Sequence, residues 1–141
     1  MLKARIGAIY FSRLLENEDL LEAIKNRAEE CKVSAGAFIL IGALKKAVMG
    51  LYKAGEYKCI ELDGPFEIGS CMGNVAVDEK GKVIIHAHLV VSNDKGEAFG
   101  GHLMKGSKVE PMAELMLFEA IGIDLRRSFD EKTKLKLLKL G

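Results

Sequence analysis

The sequence predicts an α+β fold, mainly antiparallel β-sheet with a few helices, and three observations carry that prediction. One stretch, from Asn17 or Glu18 to about Cys31, has helical periodicity. Much of the rest consists of short apolar, β-branched or alternating runs that read as strands. Those runs are punctuated by turn chemistry at Ala54-Gly55, at Asp78-Glu79-Lys80-Gly81 and at Ser92-Asn93-Asp94-Lys95-Gly96-Glu97. Turns of this kind return a strand antiparallel to its neighbour. At 141 residues the chain is expected to form one domain, 1–141, large enough to bury a core without disulfides.

Taken in order, Leu2 to Phe11 reads as a first strand. The helix follows, with acidic residues in its first turn and Leu20, Leu21, Ile24, Ala28 and Cys31 recurring at spacings of three and four. Ser34 to Leu44 is apolar throughout, and its small residues and glycines favour a strand ending in a turn. Lys45 to Tyr52 and Tyr57 to Leu62 read as two further strands, with Gly64-Pro65 as an interruption, because proline cannot donate to a ladder. Phe66 to Val77 continues in extended style. Met112 to Ala120 is built of good helix formers, so propensity leaves its state open. Arg126 to Phe129 and Leu135 to Leu140 are expected as short strands about a charged turn.

Composition narrows the functional classes. With 21 basic and 20 acidic side chains, the net charge of +1 offers no general electrostatic footprint for nucleic acid. Val33 to Leu44 is too short and too glycine-rich to span a bilayer, and the N-terminus does not read as a secretory signal. A cytoplasmic location is therefore expected. Cys31, Cys59 and Cys71 are odd in number and widely spaced, which reads as free thiols.

All three histidines fall between residues 86 and 102. His86 and His88 lie two apart in the run Val-Ile-Ile-His-Ala-His-Leu-Val-Val, so on a strand both project from one face. A hairpin at Ser92–Glu97 would return the chain and deliver His102 beside them. Three neutral imidazoles converging in this way make a transition-metal site, most simply zinc with an open fourth position. The competing reading makes each histidine an ordinary hydrogen-bonded residue. Cys71 is weighed as a soft fourth ligand against a small buried hydrophobe, and Cys31 and Cys59 are taken as packing residues. Gly100 and Gly101 are read either as a close backbone approach to a metal or anion, or as a bulge or bend. Glu67 is expected in an ion pair, with Arg5 or Arg13 or with a basic residue of a neighbouring subunit. Arg126-Arg127 with Lys132, Lys134, Lys136 and Lys139 forms the one basic concentration, read as a solvated face.

Four groups of residues together resemble the PPC domain, the plant and prokaryote conserved domain. They are Glu18-Asp19-Leu20-Leu21-Glu22-Ala23; Gly36 to Gly42-Ala43-Leu44; and Phe66-Glu67-Ile68 with Ser70 and Gly73-Asn74. The fourth is His86-Ala87-His88 with Asp94, Gly96, Gly100-Gly101-His102-Leu103 and Ala113-Glu114. The resemblance implies a mainly antiparallel sheet, assembly as a homotrimer, and a strand at Met112 to Ala120 against its propensity. It also implies a metal on His86, His88 and His102. Plant members bind A·T-rich DNA through AT-hook segments not found in this sequence, and Pro65 stands where they have Arg.

Two functional readings follow. In the first, a stand-alone PPC-domain homotrimer holds one zinc-type ion per subunit and has a DNA-associated or regulatory role. In the second, the chain is a metal-dependent hydrolase. There the ion lowers the pKa of bound water towards about 7, and Glu114, placed in the motif by the resemblance, is the general base. A solvated or salt-bridged Glu114 is the alternative to that role.

Overall fold

The computed structural model describes residues 1–139. The order of elements is β1 (Arg5–Leu15), α1 (Leu20–Glu30), β2 (Gly36–Lys53), β3 (Glu56–Val77), β4 (Val83–Ser92), β5 (Ala98–Leu103), β6 (Lys108–Ile121), β7 (Arg126–Asp130) and β8 (Leu135–Lys139). Among the described residues α1 is the one helix. No helix among the described residues is long and apolar enough to cross a membrane. The Leu140 end of the last expected strand lies outside the described residues.

The sheet runs β1-β6-β2-β5-β4-β3-β7-β8, and β2 also pairs with β3, so β2, β5, β4 and β3 close into a ring. All pairings are antiparallel except a short parallel contact of Val77 with Arg126. Two long strands make this possible. β2 and β3 form one hairpin whose two-residue turn, Ala54-Gly55, has positive φ at both positions, the geometry that matches strand twist. The strand expected to end in a turn near Leu44 instead runs on to Lys53, and β3 runs straight through Gly64-Pro65. Register shifts at Leu40/Gly42, Leu44/Lys46 and Ile68/Ser70 absorb the bends.

Alternation sorts the side chains into two faces. Phe38, Leu40, Cys71, Val75, Leu89, Val91, Leu115 and Leu117 point inward and are buried. Helix α1 covers that face with Leu20, Ala23, Ile24 and Ala28. Asp19 caps it: one carboxylate oxygen accepts from Glu22 N at 3.2 Å, and the other accepts from Gly106 N at 2.7 Å. The cap is one or two residues later than expected, because Asn17, at φ 70°, belongs to the turn before the helix.

Met112 to Ala120 is strand, within β6, despite its helix-forming residues. Between β1 and β2 its backbone groups are bonded on both sides, and its alternate residues Ala113, Leu115 and Leu117 fill the core. Tertiary context outweighs propensity there.

Candidate metal centre

On β4, Ala87, Leu89 and Val91 face the core, so His86 and His88 face outward on the other side of the same strand. The β4–β5 turn is held by Asn93, whose side-chain oxygen accepts from Lys95 N and Glu97 N, both at 3.0 Å. That turn sets the register, and the register pairs His102 directly with His88. On its other side His102 is paired with Gly50 of β2. Gly101 is required beside it, because a Cβ there would stand 2.9 Å from the Gly50 carbonyl oxygen. The close neighbour of Gly101 is thus the backbone of β2, and the β4–β5 register continues through Gly100 and Gly101 without a bulge.

The three rings converge. Their centroids lie 5.4 Å apart for His86 and His88, 5.1 Å for His86 and His102, and 5.9 Å for His88 and His102. One ligand nitrogen from each lies within 4.8 Å of the others. His86 and His102 are partly buried, whereas His88 is exposed. Tyr57 lies against His102 with ring centroids 4.7 Å apart. His102 Nδ1 is buried and has no hydrogen-bond partner among the described residues.

Burial, with neighbouring cationic groups, favours the neutral form of two of the rings. Burial pushes the His102 pKa down to about 4, helped by the neighbouring His86, His88 and Arg127 charges. His86 is lowered for the same reason, burial first and then Arg127 and His88. A neutral imidazole is the form that ligates a cation. A divalent ion with bonds of about 2.0–2.1 Å needs its ligand nitrogens within about 4.2 Å of one another, and those of the triad lie within 4.8 Å. The donor set and the orphaned His102 nitrogen both fit such an ion.

Cys71 is not part of the cluster. Its neighbour Met72 is the residue paired with His88, so Cys71, one position along, points to the opposite face among the core residues. Burial pushes its thiol up to about 12, where it is a poor ligand. Cys31 packs against the core, whereas Cys59 is exposed rather than a packing residue. No ion pair among the described residues joins Glu67 to Arg5 or Arg13.

Glu114 lies on the same outward face but away from the triad within one chain. A row of paired residues runs from His88 through Met72 and Ile39 to Met116, and Glu114 is two residues beyond. Three strand spacings of about 4.8 Å make roughly 14 Å. Glu114 instead faces Arg13 and Ile41 in register.

One residue at the site was not anticipated. Arg127, expected on a solvated face, is buried at 7% exposure beneath the β7–β8 hairpin. Its guanidinium donates to Asn74 Oδ1 at 2.8 Å and to the Lys136 carbonyl at 3.0 Å, and it meets His86 Nδ1 at 3.2 Å. Two consecutive arginines on a strand must point to opposite faces, and that signal was present in Arg126-Arg127.

Together, the one described helix, a closed ring of strands and an outward triad of histidines define a small α+β protein whose triad has the donor set of a metal site. A family model described as the Plants and Prokaryotes Conserved (PCC) domain matches residues 1–121, and the chain belongs to that family. Two solved archaeal structures are similar over nearly their whole length. One is a metal-containing protein from Archaeoglobus fulgidus, 32% identical, covering 99% of each chain at a TM-score of 0.89. The other is a plant- and prokaryote-conserved protein from Pyrococcus horikoshii, also 32% identical, covering 100% of this chain and 99% of that one at 0.89. A structure from Ralstonia eutropha, described as a candidate DNA-binding protein, shares the fold at 24% identity, 94% and 91% coverage and a TM-score of 0.82. Among curated proteins, the bifunctional protein GlmU of Synechococcus sp. (strain JA-3-3Ab) is 29% identical over 127 residues, 89% of this chain. The chain spans about a fifth (19%) of the length of that relative.

Proposed function

We propose that the chain works as a cytoplasmic homotrimer in which each subunit holds one zinc-type ion on His86, His88 and His102, with a DNA-associated or regulatory role. The observation that carries the metal reading is the convergence of three ligand nitrogens within 4.8 Å on a face where nothing else among the described residues competes for His102 Nδ1. The Archaeoglobus relative, described as metal-containing, agrees with it. A bound divalent ion supplies Lewis acidity and an open coordination position. The chain's own residues orient it: β4 and β5 fix the three rings, and Tyr57 walls off one side of His102.

Elemental analysis of the purified protein tests this. About one ion per subunit is expected in the wild type, and little or none in His88→Ala. Equal metal content in both would remove the triad from consideration. The nucleic-acid part is supported by the description of the Ralstonia protein and by the basic residues of the β7–β8 hairpin. Its test is fluorescence anisotropy with an A·T-rich duplex: binding at low salt that fades as salt rises is expected, and no binding at low salt ends that reading.

A second reading, hydrolysis with Glu114 as base, is favoured by one observation. Glu114 borders a groove of about 310 Å³ with Phe11, Arg13 and Ile41, on the same outward face as the triad. In a trimer packed through that face, the carboxylate of one copy would act on a site in the next. The reading requires turnover that is lost both with a chelator and in Glu114→Gln.

A further inference from the structure

Arg127 lies in β7, past residue 121 where the family match ends, and its setting is unusual for a cation. It is buried, yet no carboxylate among the described residues pairs with it. Its partners are the Asn74 amide oxygen, the Lys136 carbonyl and His86 Nδ1. Its Nε is buried without a partner among the described residues. The nearby Lys136 ammonium is turned to Asp78 Oδ2 at 3.4 Å.

A guanidinium can only donate, so His86 Nδ1 must accept in this arrangement. Loading of the triad breaks that bond whichever ring nitrogen ligates. If Nδ1 ligates, its lone pair is spent on the ion. If the other nitrogen ligates, Nδ1 carries the proton and confronts a donor with a donor. Either way a second N–H of Arg127 joins Nε in lacking an acceptor. A buried charge with two unsatisfied donors, beside a divalent ion on neutral ligands, is strongly unfavourable unless an acceptor with negative charge enters.

The space for one exists. A cavity of about 210 Å³ is lined by His86, His102, Arg127, Lys136 and Tyr57 together with the apolar residues Ile84, Ile85, Leu135 and Leu137. A planar carboxylate matches the guanidinium fork, and the apolar walls suit a short hydrocarbon chain better than an inorganic anion.

We infer that this cavity binds a small organic carboxylate that bridges Arg127 and the ion held by the histidine triad. The inference rests on the metal reading above and names the ligand class of that same site. Because metal and carboxylate satisfy each other's neighbours, each must strengthen the binding of the other by the same factor.

Cobalt(II)-substituted protein supplies the test, with butyrate as the probe and sulfate as the inorganic comparison. Saturable change of the cobalt visible bands with butyrate is expected, with sulfate at least about tenfold weaker. Cobalt affinity should rise with saturating butyrate. Arg127→Gln should still take up cobalt but bind butyrate about tenfold or more weakly, and Arg127→Lys should fall between. Unchanged cobalt bands in the wild type, or equal butyrate affinity in wild type and Arg127→Gln, would overturn the inference and leave the metal in place. Sulfate matching butyrate would overturn the organic carboxylate. Failure of cobalt to bind at all would overturn the metal reading and this one with it. The wild-type coupling between cobalt and butyrate needs no variant, so its absence overturns the inference even if the Arg127 variants do not fold.

Discussion

Asp78 is a single residue on which a turn and a hairpin both depend. Its Oδ1 accepts from Lys80 N at 3.0 Å and Lys82 N at 2.9 Å, closing the turn into the histidine strand, while Oδ2 faces Lys136 of β8. The backbone bond from Lys82 is the main cause that holds its carboxyl below the ordinary value of 3.8; burial opposes it, and the backbone bond from Lys80 and the side-chain ammonium of Lys136 add to the lowering. A depressed carboxyl contributes stability that is complete above its unfolded-state pKa and is lost as pH falls through the lower folded-state value. Thermal unfolding should therefore separate wild type from Asp78→Ala at pH 6, with the gap narrowing as pH falls below about 4. A gap independent of pH would mean that the charge is not what matters. At this scale the sequence was informative where period-2 alternation decides the outcome. His86 and His88 had to share a face, and the Asn93 turn brought His102 to them. The alternation at Arg126-Arg127 showed that one of the two would turn away from the other, but not which one, because the partner that draws Arg127 inward, Asn74, is 53 residues away in the chain.

At the scale of elements, α1 shows how a short helix is held. Its 11 residues would be marginal alone, so packing and capping must supply its stability. Asp19 serves the helix through Glu22 N and ties it to the β5–β6 loop through Gly106 N. Asp19→Ala should cost about 2 kcal/mol in chemical denaturation, more than a cap that serves only its own helix. The sheet side of the same core is less forgiving. Leu89, fully buried on β4, should cost about 3 kcal/mol on replacement by alanine, and because its neighbour His88 faces the other way, metal binding should survive in the folded fraction. The helix was legible because its apolar residues recur at three and four. The lengths of β2 and β3 were not. A glycine or proline at a register shift carries the same local signal as one at a strand end. Gly42 has φ 139° and packs against Ala113 so closely that a Cβ would stand 2.5 Å from the Ala113 Cα, yet the ladder continues on either side of it.

For the whole molecule, the outward face of the sheet is marked by an apolar band. Phe11, Met116, Ile39 and Met72 lie in one row across β1, β6, β2 and β3, ending at His88, with Phe11 76% and Met72 56% exposed. Ile41 and Val90 extend the band. A contiguous apolar band on a chain with close to balanced charge is a surface suited to association, and a homotrimer would cover it. Sedimentation of the wild type is expected to give three times the chain mass. Met72→Glu combined with Ile39→Glu places two charges in the middle of the band without touching the inward core, so the far-UV spectrum should stay that of the wild type while the mass falls to one chain. A wild type that sediments as a monomer would dismiss the trimer outright, and with it the hydrolytic reading, because Glu114 has no histidine triad within reach in its own subunit. A double variant that remains trimeric would move the interface to another face. In that case the row from Phe11 to His88 would be left open to some other partner, and metal uptake by the monomer would show whether the triad works without a second copy.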